Sequence, residues 1–122
     1  MIGSAIEVHR HTGPGLLESV YELCLCRELA DAGIAFARQV TILVLYKGAE
    51  AGDGFNADIV VAGELILEIK AVSTILPIHA VQLRTYLRMS GRMSGRMSGI
   101  HVGLLLNFNV PRLVDGLHRH VA

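Results

Sequence analysis

Two carboxylates and a lysine stand at a spacing that suits divalent-cation chemistry: Asp58, then nine residues, then Glu68-Ile69-Lys70. The flanking segments, GFNADIVVA at 54–62 and ELILEIKAV at 64–72, both read as β-strands that hinge near Ala62-Gly63. Side chains alternate faces along a strand, so Glu64, Ile66, Glu68 and Lys70 share one face, while Leu65, Leu67 and Ile69 feed the core from the other. With an odd number of loop residues and Gly63 at positive φ, Asp58 falls opposite Glu68 or on its diagonal; an even loop separates them. Opposed and diagonal backbones lie roughly 4.5 to 8 Å apart, close enough for two carboxylates to reach one hard cation.

The residue types match that demand. Mg²⁺ (or Mn²⁺) takes oxygen ligands, keeps several waters, and commonly uses one or two carboxylates with substrate phosphate oxygens. Asp58 and Glu68 supply the carboxylates, and the main-chain carbonyl of Ile69 offers a third protein ligand. Lys70 then points at the reacting phosphate, where it offsets charge on the phosphoryl oxygens and helps a water lose its proton. The chemistry so described is cleavage of a phosphodiester. Against it stands the ordinary use of acids and lysines to keep edge strands soluble, since a bare D-x9-E-x-K also arises by chance.

The elements that must hold this hairpin are helical. Thr12-Gly13-Pro14-Gly15 opens a helix expected over Pro14 to Asp31, with Pro14 in its first turn and a stop near Gly33. Leu16, Leu17, Val20, Leu23 and Cys24 form its apolar face, which puts Glu18 at the edge of that face and within reach of a buried site. A second helix starts at Pro77 and runs through PIHAVQLRTYLRM. Within it Gln82 and Tyr86 are i and i+4 neighbours that present an amide and a phenol on one surface.

These residues resemble the GxxExxY proteins of the PD-(D/E)xK nuclease-like superfamily, through Gly15-x-x-Glu18-x-x-Tyr21. The similarity extends to AIEVHR at 5–10, GPGLLESVYE at 13–22, LEIKAV at 67–72, PIHAVQLRTYL at 77–87 and GLLLNFNVPRLVDG at 103–116. The resemblance implies a catalytic core of Asp58, Glu68 and Lys70, with Glu18 as the helical acid that completes many such sites. It also likens Gln82 and Tyr86 to the Q-x-x-x-Y element of RecB-like nucleases. It supplies no substrate.

Arg88-Met89-Ser90-Gly91 is followed by two identical tetrapeptides, so that the unit fills 88–99, where the resemblance implies about one copy. Three glycines, each costing about 1 kcal/mol against alanine in a helix, predict a helix that frays near Gly91 into a flexible insertion. A longer linker there would also permit the C-terminal segment to exchange between subunits.

Charge is polarised although the net is zero: residues 1–70 hold five basic and ten acidic side chains, residues 71–122 six arginines and one acid. Arg84, Arg88 and Arg112 offer a phosphate-facing surface beside an acidic pocket that recruits cation. The alternative is mutual neutralisation across a dimer contact. With 52% hydrophobic residues in 122, the chain has enough apolar material for one domain and some to hide by self-association, so a homodimer is expected. No apolar run is long enough for a membrane span and no leader is evident, which predicts a cytoplasmic protein. Cys24 and Cys26 fall about 200° apart on a helix, reading as buried thiols and not as a metal pair. The histidines give no zinc site.

The expected order is helix (2–11), helix (14–31), strand (38–46), two strands of the hairpin, helix (77–89) and strand (101–108), with Ala49 to Asp53 a surface turn. This is an α/β (α+β), restriction-endonuclease-like αβββαβ core, a mixed sheet flanked by helices, in a single domain over 1–122. The leading function is a divalent-metal-dependent nuclease acting on nucleic acid, DNA or RNA. Glu18, Asp58, Glu68 and Lys70 are its catalytic set, and Gln82, Tyr86, Arg84 and Arg88 its substrate contacts. Competing readings are a non-catalytic module of the same fold that binds nucleic acid or a protein partner, and hydrolysis of a small nucleotide.

Overall fold

The computed structural model describes residues 1–91 and 99–122. Helices α1 (Ile2–Thr12) and α2 (Glu18–Asp31) lead into strand β1 (Phe36–Ile42). A short ribbon follows, β2 (Leu45–Tyr46) and β3 (Ala49–Glu50), and then β4 (Phe55–Val61), β5 (Leu65–Lys70), α3 (Pro77–Ser90), β6 (Val102–Asn107) and β7 (Leu117–Val121). The main sheet has the order β1-β4-β5-β6-β7, with β5 and β6 parallel and the other neighbours antiparallel. With α1 and α2 on one face and α3 on the other, this is the expected restriction-endonuclease-like αβββαβ arrangement.

Each face has its own core. Ala5 and Val8 of α1 and Tyr21, Leu25 and Leu29 of α2 pack on Leu67, Ile69, Leu104 and Leu106. Leu83 and Leu87 of α3 pack on Val60, Ile66 and Leu105. Strand β5 therefore contributes to both cores and reads as a nearly continuous apolar run, as expected for a central strand. Helix α3 sits close over β6 because Gly103 has no side chain: a Cβ there would stand 2.7 Å from Leu83 Cδ1.

Four expectations are corrected. Helix α2 starts at Glu18, not Pro14, because Gly15 takes φ 105 and the Tyr21 hydroxyl engages the groups a longer helix would use. That hydroxyl donates to Gly13 O at 2.6 Å and accepts from Leu16 N at 3.1 Å. The buried stripe of α2 is Tyr21, Glu22, Leu25, Cys26 and Leu29; Leu16, Leu17, Val20 and Leu23 lie exposed and Cys24 half-buried. The strand expected through Tyr46 stops at Ile42, and Ala49-Glu50 pairs back on Leu45-Tyr46 across Lys47 (φ 51) and Gly48 (φ 84), a two-residue turn of the primed type. Finally, the terminal segment contains β7, an edge strand antiparallel to β6.

Helix α3 ends at Ser90, close to the predicted fraying point. Buried Ser90 joins the two sides of the repeat: its Oγ donates to Leu87 O at 2.7 Å and accepts from Ile100 N at 3.1 Å, and its carbonyl accepts from Gly99 N. The linker expectation itself falls on 92–98, outside the described residues. Segment exchange is not needed to place the C-terminal part, since Ile100 and Phe108 are buried in their own chain and β6 pairs with β5.

Candidate active site

The hairpin behaves as parity requires. Val61 pairs with Leu65 across a three-residue loop in which Ala62 (φ 53) and Gly63 (φ 69) are both left-handed. Continuing the register past Ile59↔Leu67 sets Asp58 opposite Glu68. The regular ladder stops there. Asp58 N donates to Glu68 Oε1 at 3.2 Å, and Ile69 N donates to Asp58 Oδ2 at 2.7 Å. Main-chain amides lie in the plane of the sheet, so both carboxylates curl into the gap where β4 and β5 part. Their meeting place is this gap and not the single sheet face that strict alternation predicts.

The reason is a break in alternation on both neighbouring strands. Phe55, Ala57 and Val60 of β4 face the α3 core, whereas Ile59 and Val61 face the α1/α2 core. Strand β1 changes over likewise, with Phe36 on one side and Val40 and Ile42 on the other. The change falls at Asp58 and at Gln39, the one pair missing from an otherwise continuous β1–β4 register, and Gln39 has φ 50.

Burial governs the electrostatics. Glu68 is 7% exposed, and its carboxyl is pushed up to about 8, first by burial and next by the charge of Asp58; the Asp58 amide and Lys70 oppose the shift. Asp58 is also raised, chiefly by burial and partly offset by the Ile69 amide. Lys70 is half-buried and forms no ion pair within 4.0 Å among the described residues, yet its charge acts on both acids. Its strand end is fixed from β6: Phe108 N donates to Lys70 O at 2.9 Å, and buried Asn107 clamps Val72 through its Oδ1 (3.1 Å to N) and Nδ2 (2.9 Å to O).

Glu18 is brought to this end of β5, where its Oε2 accepts from Ala71 N at 3.0 Å. It heads the inward stripe of α2, one turn before Glu22, and is not the margin of an apolar face on Leu17 and Val20. Tyr21, the last residue of the Gly15 motif, is fully buried and stacks on Phe108 with ring centres 4.4 Å apart, so its role is to hold the Gly13–Leu16 bend. From α3, Tyr86 stacks on Phe55 at 3.9 Å, and its phenol is raised by burial first and then by the charges of Glu68 and Asp58. Gln82 is exposed one turn earlier on the same side. Arg84 is on the other flank, where its charge acts on His120 of β7, and Arg88 is exposed and donates to Thr85 Oγ1 at 3.0 Å. Neither arginine is gathered with the acids.

A cavity of about 390 Å³ opens onto Asp58 and is lined by Glu18, Ser19, Glu22, Arg38 and Gln39. Glu22, Arg38 and Gln39 were not singled out in the sequence. A larger space of about 660 Å³ over the hairpin turn, between Ala35 and Glu64, contains one carboxylate and no cation, and so offers less chemistry.

Whether the donors suit a cation follows from their chemistry. Among the described residues no three His, Cys, Asp or Glu side chains form a metal-holding group. The set is two carboxylates, each with one oxygen engaged by an amide, plus the Ile69 carbonyl, which points to the β4 side as its own N–H does. Few, hard, all-oxygen ligands with room for water and phosphate suit a hard divalent cation.

The sequence profile of the PD-(D/E)XK nuclease superfamily matches residues 1–120. The chain belongs to this superfamily. No curated protein and no solved structure matches it. In this PD-(D/E)XK nuclease-superfamily chain Asp58 and Glu68 are opposed across β4 and β5, and Lys70 follows Glu68 two residues later on β5. Superfamily members generally use divalent metals. Among the described residues of this nuclease-superfamily chain, no helix is long and apolar enough to cross a membrane.

Proposed function

We propose that the protein hydrolyses phosphodiester bonds of nucleic acid with one or more divalent cations, Mg²⁺ or Mn²⁺, held by Asp58, Glu68 and the Ile69 carbonyl. The observation that carries this reading is the pairing of Asp58 with Glu68 in the gap between β4 and β5, beside Lys70. When bound, the cation supplies a Lewis acid that draws charge from the phosphoryl oxygens and makes a water ligand more acidic. To hold the cation, Glu68 would release to solvent the proton that burial favours and serve as an anionic ligand. Lys70 sets a positive charge against the phosphoryl oxygens as their negative charge grows. Glu18, moored to Ala71 N, adds an acid at the mouth, and Tyr86 with Gln82 orients the phosphate or its water from α3. The exposed Leu17, Val20 and Leu23 of α2 are where a homodimer would form, and light scattering at micromolar concentration measures that mass.

Incubating the protein with duplex DNA, single-stranded DNA and RNA, in Mg²⁺, Mn²⁺ or chelator, tests the reading. Cleavage is expected with cation only, and Asp58→Ala loses both cation binding and cleavage. Equal cleavage by wild type and Asp58→Ala would assign the activity to a contaminant. Tight, salt-sensitive binding without cleavage of any substrate would favour a non-catalytic module of the same fold.

A further inference from the structure

Arg38 takes no part in the hydrolysis described above, yet it is built into the same cavity. Its Nε and Nη2 donate to Glu22 Oε2 at 3.0 and 2.6 Å, and the next residue, Gln39, donates from Nε2 to Glu22 Oε1 at 2.7 Å. Consecutive side chains of a regular strand point to opposite faces. These two converge on one carboxylate because Gln39 adopts φ 50. A non-glycine residue persists in that region only where its surroundings over-determine it, and such residues cluster at functional sites.

The cluster leaves a directed cation. The Glu22 carboxylate is 7% exposed and both its oxygens are taken, whereas the Arg38 side chain remains 43% exposed. One edge of the guanidinium is gripped; Nη1 has no acceptor among the described residues. The other charged groups on this wall, Glu18, Glu22 and Asp58, are acids that repel a polyanion. Arg84 and Arg88 do not relieve this, being turned elsewhere. A guanidinium held by one edge presents its remaining N–H groups as a planar fork suited to phosphate oxygens.

We propose that Arg38, braced by Glu22 and Gln39, binds a backbone phosphate of the nucleic acid next to the phosphate that is cut. The inference rests on the phosphodiesterase reading and adds the residue that receives the strand.

The test measures binding of labelled single-stranded DNA, duplex DNA and RNA against salt, with Mg²⁺ present and Lys70→Ala as the background to prevent turnover. Into it go Arg38→Lys, the double change Arg38→Gln with Glu22→Gln, and Arg27→Gln as a control on the outer side of α2. The double change removes one charge of each sign, so net charge is unaltered and no lone carboxylate is left buried. It should weaken binding about tenfold and lower the salt slope by roughly 0.7 to 0.9, the loss of one phosphate contact. Arg38→Lys, which keeps the ion pair but not the fork, should weaken binding several-fold; Arg27→Gln should match the background. In the Lys70 protein the double change should raise KM with little change in kcat. If the double variant fails to fold, Arg38→Lys decides alone. Background affinity and slope in the folded Arg38 variants would overturn the proposal and leave the nuclease reading standing, whereas a background protein that binds none of the three nucleic acids would overturn both.

Discussion

Asp58 and Glu68 are joined through the main chain as well as by register: the Asp58 amide donates to Glu68 Oε1 at 3.2 Å, while Asp58 Oδ2 accepts from the residue after Glu68. Each acid is thus positioned by the backbone of the strand that carries the other. Two acids brought this close under burial cannot both ionise freely, and the more buried one, Glu68, takes the larger shift.

Stability should therefore depend on pH in a particular direction. The folded chain keeps a proton on Glu68 up to about 8, whereas the unfolded chain releases it near the ordinary 4.5. Between those values the unfolded state binds fewer protons, so the cation-free protein loses stability as pH rises and levels off above the upper value. Thermal melts of wild type and Glu68→Gln across that window check this. The Gln variant should give the flatter profile, and Mg²⁺ should raise the wild-type Tm most at the alkaline end, where the ligand is already ionised. Parallel profiles for the two proteins would refute the assignment.

Lys70→Ala should separate binding from rate. Lys70 is outside the proposed ligand set and makes no ion pair within 4.0 Å among the described residues. The variant is expected to keep a Mg²⁺-dependent rise in Tm while kcat falls by about 10² to 10³, the usual loss for one electrostatic group at a developing charge. Loss of the Tm rise would instead make Lys70 part of cation binding.

Tyr21→Phe retains the stack on Phe108 but removes the hydroxyl that ties Gly13 O and Leu16 N. A cost of about 1 kcal/mol is expected in denaturant unfolding, the typical net worth of such hydrogen bonding. Glu18 follows directly on that bend, so cleavage should fall by more than the stability loss explains. Unchanged activity would mean that α2 positions Glu18 without this tie.

Ser90→Ala removes the acceptor of Ile100 N, a buried amide, together with the bond to Leu87 O. Leaving a buried donor unsatisfied costs about 1 to 3 kcal/mol. The midpoint of urea unfolding should drop accordingly with the slope unchanged. A midpoint equal to wild type would show that another group takes over.

What could be read in advance and what could not differ for physical reasons. The Asp58–Glu68 opposition was legible because strand periodicity is two and Gly63 marks the hinge; loop parity alone then decides it. The orientation of α2 was not, since Leu16, Leu17, Val20 and Leu23 are as apolar as the stripe the fold buries, and that stripe includes a charge, Glu22. Its burial depends on Arg38 and Gln39, sixteen and seventeen residues away, and on a left-handed glutamine. Neither long-range pairing nor positive φ at a non-glycine residue leaves a periodic trace. Strand β7, LHRHV, was obscured for a similar reason: an edge strand with exposed polar positions lacks the apolar run of β5 or β6.

Strand β5 has its antiparallel partner just before it in the chain, but its parallel neighbour β6 arrives only after α3 has been made. Domains tend to form from the N-terminus while the ribosome is still adding residues. Until Asn107 and Phe108 emerge, the end of β5 lacks its ties at Lys70 and Val72 and has only the bond from Ala71 N to Glu18 to hold it. A nascent chain would thus carry its acids early and its firm lysine late, so that the three groups come to one fixed arrangement only after β6 has been made.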